Sequence, residues 1–520
     1  MTKIELYDTT LRDGAQSEGI SFSVSDKLKI CEKLDELGVH FIEGGWPGAN
    51  PKDMSFFKAA KSLRLKKANL VAFGSTRHSK SKVGRDKVLK GLLNADTKFI
   101  TIFGKSWDLH VRDVLKVDRI ENLRMIEESI KFLRSKGRTV FYDAEHFFDG
   151  YKTNKDYALK TLKAAQAAGS DRIILCDTNG GTITSQVFEI VEDVKSVIKT
   201  PLGIHAHNDC DMAVASSIAA VNAGCVQVQG TMNGYGERCG NANLVSIIAN
   251  LKLKLGVDCV SDLELKELTE IARYIAEVCN MKLEDNEPFV GTSAFAHKAG
   301  IHVNAILKNS KTYEHVDPKM VGNRRRLLVS ELSGKSTIIK KAEDLDLGKD
   351  AKKTKKILKM LQDLEHKGYH FESAEASLEL LIKRVMKKFK DFFDLESFRV
   401  IIEKTKDGKM TSEATIKLRV GEELEHTASL GDGPVNALDS ALRKALTKFY
   451  PDIAEMHLTD YKVRVLDEKE GTAAKVRVLI QSQDKSDSWW TIGVSENIID
   501  ASWQALVDSV EYKLLKDSKR

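Results

Sequence analysis

Proline and cysteine are scarce in this 520-residue chain, seven of each, and aromatic residues make up only 7%. With so few prolines, 42% hydrophobic and 30% charged residues, most of the chain can bury a core and little of it reads as intrinsically disordered. The cysteines (Cys31, Cys176, Cys210, Cys225, Cys239, Cys259, Cys279) are odd in number, stop at 279 and form no C-x-x-C pair. That pattern argues against a disulfide framework and for a reducing compartment. No stretch approaches about 18 uncharged apolar residues. Asp8, Arg12, Asp13 and Glu18 interrupt the span a signal peptide would need. A soluble, cytoplasmic protein without membrane partners is expected. Neither sign of charge dominates: 81 basic and 75 acidic residues leave +6, short of the basic field that nucleic-acid binding requires. At roughly 100–200 residues per domain, the length implies about three units.

Short apolar runs alternate with amphipathic stretches through the first 280 residues or so. Strands are expected at Ile4–Asp8, Phe41–Trp46, Leu70–Gly74, Phe99–Phe103, Thr139–Asp143, Arg172–Asp177, Leu202–His207 and Val226–Thr231. Helical spacing marks Ser25–Leu37, Ile120–Leu133, Lys155–Ala168 and Ser185–Ile198. Eight such units imply an α/β fold, a (β/α)8 TIM barrel over 1–284. The alternative, a doubly wound open sheet, would place a Gly-rich turn after strand one, where this chain reads Asp-Thr-Thr-Leu-Arg-Asp-Gly.

Beyond the barrel the rhythm changes. Residues 285–395 are expected to form linker and lid subdomains, a helical middle subdomain. Within it, Lys352, Lys353, Lys355, Lys356, Lys383, Arg384, Lys387 and Lys388 read as a solvated face opposite Leu358, Leu361 and Leu364. From 396 to 520, strands are expected at Phe398–Glu403, Glu413–Val420, Tyr461–Leu466, Lys475–Ser482 and Ser488–Val494, with helices at Val435–Phe449 and Asn497–Leu514. The turns at Gly431 and Gly493 lie 62 residues apart, which suggests a duplicated strand–strand–helix unit. This α+β domain shows no catalytic cluster and is read as regulatory or dimerising.

Chemistry in such a barrel sits where the strands end. His205 and His207, two apart on strand seven, point to the same side. An H-x-H pair can equally serve internal hydrogen bonds. Asp13, supplied from strand one, favours a divalent site instead, and Asn241 could add a carbonyl oxygen. Arg12 beside a ligand would be an awkward structural charge, but it could hold a developing alkoxide. Glu145 and His302 are acid–base candidates, weighed against ion-pair or surface roles.

Together these residues resemble the α-isopropylmalate/homocitrate/citramalate synthase family, the acetyl-CoA-dependent branch of the DRE-TIM metallolyases. The signature L-R-D/E-G-x-Q-x10-K matches Leu11–Gln16 and Lys27, and H-x-H-N-D matches His205–Asp209. The usual glycine two positions later is Asp211 here. G-x-G-E-R-x-G-N matches Gly234–Asn241, and H-K-A-G-x-H matches His297–His302. The stretch Glu43–Asp53 and the ending Trp489–Trp503 look most like the citramalate branch.

The resemblance implies a Claisen-type condensation of acetyl-CoA with pyruvate on Mn2+ or Mg2+, followed by thioester hydrolysis. Asp13, His205 and His207 would be ligands with Asn241 nearby, Thr178 would bind the keto-acid carboxylate, and Arg12 would stabilise the alkoxide. His302 with Glu145 and Tyr313 would form the base machinery. A homodimer, with the middle region reaching over a partner's active site, and isoleucine feedback at the carboxyl-terminal domain are further implications. The competing readings are a 2-isopropylmalate or homocitrate synthase, a lyase of the same superfamily, and a non-catalytic amino-acid sensor.

Overall fold

All eight expected barrel strands form: β1 (Glu5–Asp8), β2 (Phe41–Gly45), β3 (Asn69–Ser75), β4 (Phe99–Lys105), β5 (Thr139–Glu145), β6 (Arg172–Asp177), β7 (Leu202–Ala206) and β8 (Gln227–Gly230). They pair in parallel in chain order, and β8 returns to β1 from Glu5–Gln227 to Asp8–Gly230, closing the barrel. This computed structural model describes residues 3–328, 351–466, 474–485 and 487–518. Residues 329–350, part of the expected linker, and the side chains of Lys352 and Lys353 lie outside the described residues.

The strands read as apolar runs because both of their faces are buried. Ile173, Ile174, Leu175 and Cys176 of β6 are all shielded from solvent. The helices cover the outside with one face each. Val24–Glu36 starts at a capping box in which Ser23 Oγ accepts from Asp26 N–H and the Asp26 carboxylate accepts from Ser23 N–H. Its buried positions, Ile30, Cys31 and Leu34, recur at helical spacing. Inside the barrel, Tyr7, Phe41, Val71 and Phe141 pack as a cluster, with Phe41–Phe99 and Phe41–Phe141 ring centroids both 5.1 Å apart.

The chain divides into two compact units, Met1–Phe295 with His315–Arg325, and Ala296–Glu314 with Arg326–Arg520. In the second unit, β9 (Ala296–His297) pairs with β10 (Arg326–Leu327). Two repeats follow: β11 (Asp394–Lys404), β12 (Met410–Val420) and β13 (Glu423–Gly431) lead into the helix Pro434–Thr447, and β14 (His457–Val465), β15 (Val476–Gln483) and β16 (Ser488–Ser495) lead into Ile498–Asp517. Each sheet is antiparallel. The repeat is therefore three strands and a helix, one strand more than expected. The extra strand β13 carries exposed Leu424 and Leu430, so its sequence lacked a buried apolar face to mark it.

The helices Ala351–His366 and Glu375–Val385 bury Ile357, Leu361, Leu378 and Ile382 with Ile492 of β16 in a small core. The basic run is only partly a solvated face. Lys355, Lys356, Lys387 and Lys388 are exposed, whereas Lys383 is buried beside Glu379 and Arg384 bridges Asp391 and Asp508.

Candidate active site at the carboxyl ends of the barrel strands

β1 ends at Asp8, so Arg12 and Asp13 stand on the loop beyond it. That loop is a tight knot. The Thr9 carbonyl accepts from the N–H groups of Arg12, Asp13 and Gly14 at 3.1, 2.9 and 3.1 Å, and Thr10 Oγ1 ties the loop to β8 by donating to Asp8 and accepting from Met232 N–H. Asp13 then lies against β7: its Oδ2 is 3.3 Å from His205 Nε2 and 3.9 Å from His207 Nε2. Ligand atoms of these three buried residues all lie within 4.8 Å of one another. No second cluster of this kind occurs among the described residues.

A carboxylate and two imidazoles suit a divalent cation with open positions. Burial, opposed by Arg12 and then by the histidines, leaves the Asp13 carboxyl well below its usual range. Burial and the neighbouring His205 push His207 down to about 3, so its ring is neutral, as a ligand requires. Burial lowers His205, but the hydrogen bond it donates to Asp13, together with the charges of Asp13 and Asp143, more than offsets this and raises it. His207 Nδ1 and Asn241 Oδ1 are buried without a hydrogen-bond partner, as expected of a polar pocket built for a further group. Asn241 faces the cluster with its amide nitrogen, which lies 3.0 Å from Asp13 Oδ2 and 3.3 Å from His205 Nε2. The amide donates to the Asp13 carboxylate.

Arg12 is held from three sides. Its Nε donates to Glu43 Oε1 at 2.5 Å, its Nη1 lies 3.3 Å from Asp13 Oδ2, and its guanidinium carbon sits 3.8 Å above the Phe73 ring. Glu43, on β2, is fully buried and also accepts from Tyr7 Oη and Thr9 Oγ1. Sequence reasoning missed Glu43 as a site residue. The available signal was an acid on an inward position near the end of a strand. The β2 turn that follows is clamped by Asp53, which accepts from Trp46 N–H and pairs with Lys27 at 2.6 Å. Gly45 has φ +140°, and a Cβ there would lie 2.4 Å from the Asp53 carboxyl carbon.

Glu145, the last residue of β5, is level with Lys105 of β4 and ion-paired to it. Thr178 follows β6; its Oγ1 accepts from His146 N–H at 2.9 Å, and its carbonyl accepts from Arg238 Nη2 at 2.8 Å. Arg238 also grips Asp209 with two bonds of 2.7 and 2.9 Å, so the G-E-R-C-G-N loop staples the ends of β6 and β7. In that loop Gly240 has φ +87°, and a Cβ would fall 2.0 Å from the Gly234 carbonyl oxygen. Asp211, the departure from the family signature, sits at φ 56°, which accounts for the usual glycine; aspartate is among the few residues that tolerate that region. His302 and Tyr313 belong to the second unit, where their rings stack at 4.1 Å.

Residues 3–275 match the family model described as HMGL-like, 289–369 the Homocitrate synthase post-HMGL domain-like model, and 372–514 the LeuA allosteric (dimerisation) domain. The chain belongs to the HMGL-like family. Relatives of this HMGL-like protein include the (R)-citramalate synthase of Aquifex aeolicus, 55% identical over 99% of both chains. That of Geobacter sulfurreducens is 55% identical over 100% of this chain and 99% of its own, and that of Synechocystis is 51% identical over 99% and 96%. Among the described residues of this HMGL-like chain, no helix is long and apolar enough to cross a membrane.

Proposed function

We propose that this chain is an (R)-citramalate synthase, an acyl-transferring enzyme that condenses acetyl-CoA with pyruvate and hydrolyses the product thioester to citramalate and CoA. The observation that carries the chemistry is the buried Asp13–His205–His207 cluster with Arg12 beside it. Full-length identity of 45–55% to five curated (R)-citramalate synthases supports the choice of keto acid.

Asp13, His205 and His207 would hold a divalent cation, Mn2+ or Mg2+, which supplies a Lewis acid and a template for the two oxygens of a keto acid. Asn241, by donating to Asp13, keeps that ligand in place. Arg12, pinned by Glu43 and Phe73, presents its remaining N–H groups as preorganised donors to the ketone oxygen as it becomes an alkoxide. With His146 N–H already donating to its oxygen, the Thr178 hydroxyl keeps its own proton to give to the keto-acid carboxylate. Glu145, His302 and Tyr313 are assigned to removal of the acetyl-CoA methyl proton and to hydrolysis. The LeuA-type carboxyl-terminal region would form a homodimer and bind isoleucine as feedback inhibitor.

The test is CoA release with pyruvate, 2-oxoisovalerate and 2-oxoglutarate in turn, each with and without EDTA and with and without isoleucine. Pyruvate is expected to support the highest kcat/KM, with EDTA abolishing the activity and isoleucine lowering it. Preference for 2-oxoisovalerate would reassign the chain as a 2-isopropylmalate synthase, and no CoA release with any keto acid would leave it a sensor.

A further inference from the structure

Behind His205, two buried side chains form a line across the barrel interior. His205 on β7 is level with Gln229 on β8, and its Nδ1 lies 3.0 Å from Gln229 Oε1. The Gln229 Nε2 group lies 3.3 Å from Asp143 Oδ1 on β5. Gln229 is 0% and Asp143 4% exposed, so each is committed to partners inside the protein.

With Asp143 ionised, the donor and acceptor inventory of these groups fixes one arrangement. A carboxylate accepts, so the end of the amide facing Asp143 is its NH2, and the end facing His205 is the carbonyl oxygen. An oxygen acceptor at Nδ1 requires that nitrogen to carry the ring proton. With a cation held, Nε2 would present its lone pair to it; without one, Nε2 carries a proton and donates to Asp13 Oδ2 at 3.3 Å. His207 has no such support, since its Nδ1 is buried without a partner.

We propose that Asp143 and Gln229 are positioning residues: Asp143 sets the direction of the Gln229 amide, and the amide sets the tautomer and ring orientation of His205, presenting Nε2 to the cation held with Asp13 and His207. Two polar groups in the barrel interior would otherwise be a costly substitute for the aliphatic side chains that usually fill such layers. The inference rests on the metal reading of the site.

The experiment measures Mn2+ affinity of the full-length protein by chelator competition, together with the 15N tautomer signals of His205 in the Mg2+-loaded protein. Loss of an outer partner of a metal-ligating histidine commonly weakens binding about 10–100-fold. Gln229→Met should show a loss of that size and lose the Nδ1–H signal. Gln229→Glu combined with Asp143→Asn, which keeps an acceptor at Nδ1 and a donor behind it, should bind within a few-fold of wild type. Asp143→Leu should weaken binding by a smaller factor, and it carries the test if Gln229→Met does not fold. At saturating Mn2+ the folded variants should recover most of the wild-type kcat. Unchanged Mn2+ affinity and tautomer in folded Gln229→Met, or in Asp143→Leu where that variant stands in, would overturn the relay alone. Wild-type protein that binds no divalent cation would overturn the metal reading and the relay with it.

Discussion

Charge is buried in both units of this chain, but to different ends. At the barrel mouth Asp13, Glu43, His205 and His207 are all less than 10% exposed and converge from β1, β2 and β7 on one point, where two polar atoms still lack partners. In the carboxyl-terminal repeats, Lys513 and Asp484 are buried and pair at 3.1 Å, tying the helix Ile498–Asp517 to the end of β15. Burial of charge alone therefore does not mark a site. Convergence of ligand-type atoms from separate strands, with bonding capacity left over, does.

The largest expected break in this contrast is removal of divalent cations. EDTA should abolish CoA release, and added Mn2+ should restore it. Next, Arg12→Ala should lower turnover roughly 10²–10³-fold while Mn2+ affinity, measured by chelator competition, stays near wild type; normal turnover in that variant would sink the alkoxide role. Glu43→Gln removes the carboxylate from a buried pair and leaves the Arg12 guanidinium short of its partner. A stability loss of about 3 kcal/mol in urea unfolding is expected, with reduced kcat because the donor is no longer pinned.

The smallest effect lies in the repeats. Burial pushes Glu511 from 4.5 up to about 8, with the Phe392 N–H as a partial offset. Across that interval the unfolded chain binds fewer protons than the folded one, so stability falls as pH rises. Glu511→Gln should melt about 2–4 °C higher than wild type at pH 8.5 and show no advantage at pH 5. Equal melting points at both pH values would show that this acid is not held neutral.

Much of the barrel was legible because its strands are buried on both faces and its helices on one, so that short unbroken apolar runs alternate with stretches of helical period. The repeats were less so. β13 pairs along its whole length with β12, from Ser412–Gly431 to Val420–Glu423, yet its side chains are largely exposed. Its place is set by backbone hydrogen bonds that composition does not record. The positions of Asp13, His205 and His207 could be read from motifs and strand ends. Glu43, Asp143 and Gln229 could not, because an acid or amide in an apolar run shows nothing of which side chain it will meet across a closed sheet.

By itself, then, the sequence determined the order and type of the barrel elements, the family, and the ligand-type residues, since these depend on local periodicity and on fixed chemical capacity. Only the tertiary structure decided that Glu43 pins Arg12, that Asn241 turns its nitrogen to the cluster, and that Asp143 and Gln229 line up behind His205. Those relations join residues 24 to 228 positions apart, and the barrel is what brings them within hydrogen-bond reach.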